Sequence, residues 1–143
     1  MDLKELYSDI ILEYSQDKTY RKPLMRPTVR NRGVNPSCGD NIELELQIED
    51  HRIKEVAILG KGCAISEASA GVMAELIQGK TVEEARILSD LFVSMIQKKV
   101  TEEQQLKKLE AGIAFQNISN MPARVKCAVL SWHTLEEALS KEV

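Results

Sequence analysis

Between Ile42 and Ile48 every second residue is apolar: Ile42, Leu44, Leu46 and Ile48 alternate with Glu43, Glu45 and Gln47. A period of two predicts a strand with one face on a core and the other in water. The polar stretch Glu49-Asp50-His51-Arg52 separates it from a second apolar run, IKEVAILG, and the two read as an antiparallel hairpin. The second run lacks clean alternation beyond Lys54, which leaves its register open. Elsewhere the spacing changes to three and four. Leu3, Leu6, Tyr7, Ile10, Ile11 and Tyr14 predict one amphipathic helix. Ala68, Val72, Leu76 and Ile77 predict a second, capped by Ser66 and stopped at Gly79. Thr81 and Glu84, spaced as a capping box, open a third through Ala85, Leu88, Phe92, Met95 and Ile96. A last helix starts around Pro122, which suits a first turn, and buries Val125, Ala128, Val129, Trp132, Leu135 and Leu139.

Two segments break the pattern. From Ser15 to Pro36 the chain carries Pro23, Pro27, Gly33 and Pro36 among Arg21, Arg26, Arg30 and Arg32. That composition predicts a solvated arm, either a plain surface loop or a basic segment for an acidic partner, with room for a third strand just before Cys38. Residues 98–112, KKVTEEQQLKKLEAG, are strongly charged, with Leu106 and Leu109 as the main apolar contacts. They read as a short exposed helix or loop outside the core. The fold class is therefore α+β: a small antiparallel sheet with amphipathic helices packed on one face.

A chain of 143 residues with 43% hydrophobic content supports one core, so 1–143 is read as a single domain. A net charge of −3 and 4% aromatic residues provide neither the basic field nor the stacking surface that nucleic acid requires. The N-terminal MDLKELYSDIILEYSQDK is charged every few residues, which predicts neither a signal peptide nor a membrane span, and a cytoplasmic protein. Three cysteines in a reducing compartment argue against a disulfide framework. They leave inert buried thiols, metal ligands or a nucleophile.

Their positions sharpen the choice. Cys38 and Asp40, in NPSCGD, precede the outgoing strand of the hairpin; Cys63, in GKGCAIS, follows the returning one. Matched strands bring both to the same end. Cys63 also lies just ahead of a helix N-terminus, whose partial positive charge favours a thiolate. Cys127 sits near the start of the last helix and can share that end. Cys38, Asp40, Cys63 and Cys127 make three sulfurs and one oxygen, the size of a tetrahedral zinc site, although no two of the cysteines are local in sequence. Metal binding and inert buried cysteines both stay open on spacing alone. His51 in the predicted turn and His133 on the last helix read as surface residues, and no HExxH, phosphate loop or Ser/His/Asp order occurs.

NPSCGD, GKGCAISEASAGVMAELIQGKTVEEA and MPARVKCAVLSW resemble the three signature stretches of the IscU or NifU N-terminal family of iron–sulfur cluster assembly proteins, in the right order over nearly the whole chain. Within it the chain looks most like the SufU branch. The stretch LSDLFVSMIQKKVTEEQQLKKLEAG is longer than in IscU-type scaffolds, and Lys126 stands where those scaffolds carry a histidine before the last cysteine. The resemblance implies zinc held by Cys38, Asp40, Cys63 and Cys127, with Arg124 and Lys126 as basic neighbours. It implies a cysteine desulfurase as partner, a histidine of which displaces Cys38 from zinc so that the freed thiolate takes persulfide sulfur. The sulfur then passes to a downstream iron–sulfur scaffold or apo-protein. The alternative within the family is a scaffold that assembles a [2Fe-2S] cluster on the same residues, and a third reading is a non-catalytic, zinc-stabilised interaction domain.

Overall fold

The computed structural model describes residues 3–141, with side chains from 9 onward. In chain order it contains α1 (Leu3–Gln16), β1 (Val29–Asn35), β2 (Asp40–Glu49), β3 (Arg52–Lys61), α2 (Ala64–Ile77), α3 (Val82–Ile96), a single turn α4 (Glu103–Leu106), a 3-10 stretch (Lys107–Asn120) and α5 (Pro122–Ser140). The strands form one antiparallel sheet in the order β1-β2-β3. This is the expected α+β arrangement.

The alternation in β2 sets the layers. Ile42, Leu44 and Leu46 are buried on one face and pair across β3 with Gly60, Ile58 and Val56, so those positions share the inner face. An irregularity between Gln47 and Ile48 shifts the register there, which is why the second run showed no regular alternation. Helices α2 and α5 cover the inner face, α5 over β1 and α2 against β3, while α1 packs on α2 and α3 on α5. Phe92 of α3 stacks on Trp132 of α5 with ring centroids 4.5 Å apart, and Phe115 meets Phe92 edge-on at 5.8 Å. Trp132 satisfies its indole N–H on the Ser69 hydroxyl at 3.1 Å. Of the α1 apolar stripe, Ile10, Ile11 and Tyr14 pack against this core; the expected contributions of Leu3, Leu6 and Tyr7 lie outside the described residues. The Thr81–Glu84 capping box forms as expected.

The third strand for which the arginine-rich arm left room is β1, paired from Val29↔Leu46 to Asn35↔Asp40, while two other expectations need correction. Its inner-face positions are Val29, Asn31, Gly33 and Asn35, and all but Val29 are polar or small where a strand on a core is usually apolar. The reason is the close approach of α5: a Cβ on Gly33 would stand 2.1 Å from Thr134 Oγ1, and Asn31 Nδ2 donates to the Thr134 carbonyl at 2.9 Å. The first correction concerns Glu45, which does not face water. It is buried, ion-paired to Arg30 at 2.9 Å, and accepts the Leu24 N–H at 2.9 Å, because the earlier part of the arm crosses the outer face of the sheet.

The second correction concerns residues 98–112. Leu106 and Leu109 are fully buried and belong to the main core, and a Cβ on Gly112 would stand 3.2 Å from Leu109 Cβ and 3.6 Å from Val72. Charged residues coat this segment, but a few apolar anchors fasten it to α2 and α3. Leu109→Ala is accordingly expected to cost about 2–5 kcal/mol, the range for an aliphatic side chain removed from a packed core. A shift of the denaturant midpoint at unchanged slope measures it. A loss below ~0.5 kcal/mol, typical of a surface substitution, would return the segment to the exterior.

Candidate metal centre

One end of the sheet collects the chemistry. Between β1 and β2 the chain turns through Pro36-Ser37-Cys38-Gly39, with the Cys38 N–H donating to the Asn35 carbonyl at 3.2 Å and the Gly39 N–H to that of Pro36 at 3.3 Å. Gly39 has φ of +72°, a left-handed conformation that glycine adopts without strain. This turn leaves Cys38 exposed at the loop tip and makes Asp40 the first residue of β2, on the inner face and buried to 1% exposure. The glycine between thiol and carboxylate thus reverses the chain so that both sit at one end of the sheet.

Strand β3 returns to the same end. Gly60, at φ +91°, lets it pass Asn41, whose carbonyl would be 2.1 Å from any Cβ there. The following turn delivers the Cys63 N–H to Asp40 Oδ1 at 2.8 Å. Cys63 is itself the N-cap of α2: its sulfur accepts the Ser66 N–H at 3.4 Å. The cap is therefore Cys63 and not Ser66 as expected, and it places the sulfur at the positive end of the helix dipole. The Ser66 hydroxyl is left buried with no hydrogen-bond partner. Cys127 arrives from the first turns of α5, buried to 1%, with Sγ 3.0 Å from Cys38 Sγ, far outside the ~2.05 Å of a disulfide.

Donor atoms of Cys38, Asp40 and Cys127 all lie within 4.8 Å of one another, close enough to converge on one ion. Cys63 sits at the edge of this group, held by the Asp40 carboxylate and its own helix. Of the four residues singled out from sequence, three are thus gathered tightly and the fourth adjoins them. Burial pushes the Cys127 thiol far above the ordinary range, and the neighbouring Cys38, Cys63 and Asp40 push it further. Collecting several anionic donors in a buried place is unfavourable without a cation. Arg124 and Lys126 are exposed on the outer side of the same helix turns. Three thiols and a carboxylate are the donor set of a zinc site, and a divalent ion supplies the missing positive charge; the residues present fit that metal.

Histidine is not part of the arrangement. His51 lies in the β2–β3 turn at the other end of the hairpin, and His133 is exposed 3.6 Å from Glu136. One residue of the site was missed from sequence. Asn35 is buried, and its side-chain amide lies 3.4 Å from Asp40 Oδ2 and 3.6 Å from Cys127 Sγ. Its only local sign was its place two residues before the Ser37-Cys38 pair and directly before Pro36.

Comparison with known proteins shows the family to which the chain belongs. The family model of the NifU-like N terminal domain matches residues 6–141. The iron-sulfur cluster assembly scaffold protein IscU of Thermotoga maritima is 43% identical over 99% of this chain and 97% of its own length. The zinc-dependent sulfurtransferase SufU of Bacillus subtilis is 36% identical over 99% of this chain and 94% of its own. A crystal structure of a putative scaffold protein for the SUF system from Fervidobacterium islandicum superposes with a TM-score of 0.87 at 38% identity, covering 94% of this chain and 97% of that one. The N-terminal part of a NifU-like protein from Brucella abortus shares the fold, with a TM-score of 0.83 at 21% identity over 97% and 95% of the two chains. With its cysteines, its aspartate and its sheet arranged in this way, the chain belongs to the NifU-like N-terminal domain family.

Proposed function

We propose that this protein is a zinc-dependent sulfurtransferase of iron–sulfur cluster assembly that accepts sulfur on Cys38 from the persulfide of a cysteine desulfurase. Cys38, Asp40, Cys63 and Cys127 hold the metal, and the chain works as one domain. The observation that carries the reading is an asymmetry of exposure. Asp40 and Cys127 are buried, whereas Cys38 stands exposed on a four-residue turn within reach of an incoming enzyme.

Bound zinc supplies the positive charge that keeps the thiols deprotonated at neutral pH. Cys38 then acts as a thiolate nucleophile. It attacks the outer sulfur of the donor's persulfide, the donor's S–S bond breaks, and the donor cysteine leaves as a thiolate. Cys38 ends as a persulfide with no net oxidation or reduction. Asp40 and Cys127 stay in place through the exchange because buried side chains cannot reach a docked partner. The sulfur leaves for a downstream scaffold or apo-protein. No helix among the described residues is long and apolar enough to cross a membrane, and three unpaired thiols suit the cytoplasm.

The runner-up is a scaffold for a [2Fe-2S] cluster, supported by the name of the Thermotoga relative and by the affinity of thiolates for such clusters. Incubation with desulfurase and free cysteine, followed by alkylation and peptide mass spectrometry, separates the two. One additional sulfur is expected on the peptide that contains Cys38. Sulfur found only on Cys127 would refute the acceptor assignment. No sulfur on any cysteine, together with a stable and transferable cluster formed from iron and sulfide, would favour the scaffold.

A further inference from the structure

We propose that Asn35 is a positioning residue that decides which thiolate of the centre is free to react, by fastening Asp40 and Cys127 while leaving Cys38 loose; this rests on the metal centre proposed above. Asn35 lies outside the donor set yet touches three of its members. Its side-chain amide faces Asp40 Oδ2 at 3.4 Å and Cys127 Sγ at 3.6 Å, and its carbonyl accepts the Cys38 N–H at 3.2 Å.

The local sequence explains how it gets there. Asn35 is the last residue of β1 and pairs with Asp40, the first of β2, so both side chains emerge on the inner face next to each other. Pro36 disfavours the helical region for the residue before it, which keeps Asn35 extended. An amide NH₂ has two hydrogens and both nearby atoms are acceptors when ionised, so one group can serve the carboxylate and the sulfur together. Asp40 is then held at each oxygen, by Asn35 at Oδ2 and by the Cys63 N–H at Oδ1 at 2.8 Å.

Such outer hydrogen bonds orient ligands and withdraw charge from them. Cys127 receives one and is buried; the Cys38 sulfur receives none from Asn35 and is exposed. The bond to Cys127 therefore favours its staying on the metal when one thiolate departs, and the departing one is Cys38. A reader of the motif sees a cysteine, a glycine and an aspartate. The residue that makes their roles unequal stands three positions earlier.

The test compares the parent with Asn35→Ala and Asn35→Asp. Zinc affinity is measured by competition with a chromophoric chelator, the cobalt(II)-substituted protein is examined for its sulfur-to-metal absorption, and the metal-free melting temperature is recorded. Asn35→Asp keeps the shape but turns a donor toward two acceptors into a negative charge, so zinc should bind about 10–100-fold more weakly, the usual loss for an outer-sphere partner. Asn35→Ala should lose a smaller factor within the same range. Both should alter the cobalt spectrum, and the alanine variant should keep the parent's metal-free melting temperature. After reaction with desulfurase and cysteine, both should still carry sulfur on Cys38, since Cys127 is buried, but should release zinc more readily than the parent once Cys38 is modified. Zinc affinity within 2-fold of the parent in both variants, or a loss matched by an equal loss of metal-free stability, would overturn the role of Asn35. A parent protein that binds no zinc would overturn the metal centre and this inference with it.

Discussion

Cys38→Ser is expected to reduce sulfur acceptance to the background of the desulfurase alone, while the protein stays folded. The side chain is exposed at the tip of the β1–β2 turn, so replacing sulfur by oxygen disturbs no packing. The chemistry changes far more. A hydroxyl at neutral pH is almost wholly protonated and a poor nucleophile toward sulfur, whereas a metal-held thiolate is ready to attack. Desulfurase turnover with free cysteine, followed by sulfide or alanine release, provides the measurement. Stimulation at more than about a tenth of the parent level in the serine variant, with zinc still bound, would show that Cys38 is not the acceptor.

Asp40→Ala is expected to weaken zinc by at least ~100-fold, since losing only an outer hydrogen-bond partner already costs about 10–100-fold. Asp40 is 1% exposed and its Oδ1 accepts the Cys63 N–H, so part of any loss could come from the fold. Asp40→Asn separates the two effects. It keeps the volume and an oxygen for that N–H but removes the charge, and it should leave metal-free stability near the parent while binding zinc weakly. Metal content per chain, measured by elemental analysis after dialysis against a chelator, checks both variants. The parent should also gain stability from zinc: about 2.7 kcal/mol at free metal one hundred times its Kd. For a chain of this size that is roughly 5–12 °C in melting temperature. Full zinc in both variants, or a melting temperature indifferent to zinc, would remove Asp40 from the centre.

How much of this could be read in the chain itself depended on whether local chemistry and tertiary position agreed. Ile42 to Ile48 alternate because one face of β2 meets the core, and Thr81 to Glu84 cap α3 by their own side chains, so both were legible. Pro122 opens α5 as its conformation dictates. Strand β1 was expected only as room for a third strand, weakly marked because α5 presses onto Gly33 and Asn31, and a surface approached that closely excludes the apolar side chains that mark a strand. Glu45 looked solvent-facing because nothing in its own strand announces the arm that buries it and the Arg30 that pairs with it. In 98–112 the many charged positions masked Leu106 and Leu109, the fully buried residues that do most to fasten the segment.

The same division runs through the site. Cys38, Asp40, Cys63 and Cys127 drew attention by residue type, and the hairpin's geometry placed the first three without any structure. Asn35 could not be found that way, since asparagine before proline is ordinary turn chemistry. Its importance comes from Cys127, which reaches it from the far end of the chain.

That distance has a consequence for how the molecule is made. Cys38 and Cys127 are 89 residues apart in sequence, and their sulfurs come within 3.0 Å only after α5 has docked on β1. Long-range closures of this kind come late in folding because the loop entropy must be overcome before the contact rewards it. A chain emerging from the ribosome exposes Cys38, Asp40 and Cys63 well before Cys127 exists. During that interval it offers three of the four proposed donors. The full donor set therefore exists only once the last helix has been made and docked, so an ion that needs all four donors would be held by the finished molecule alone.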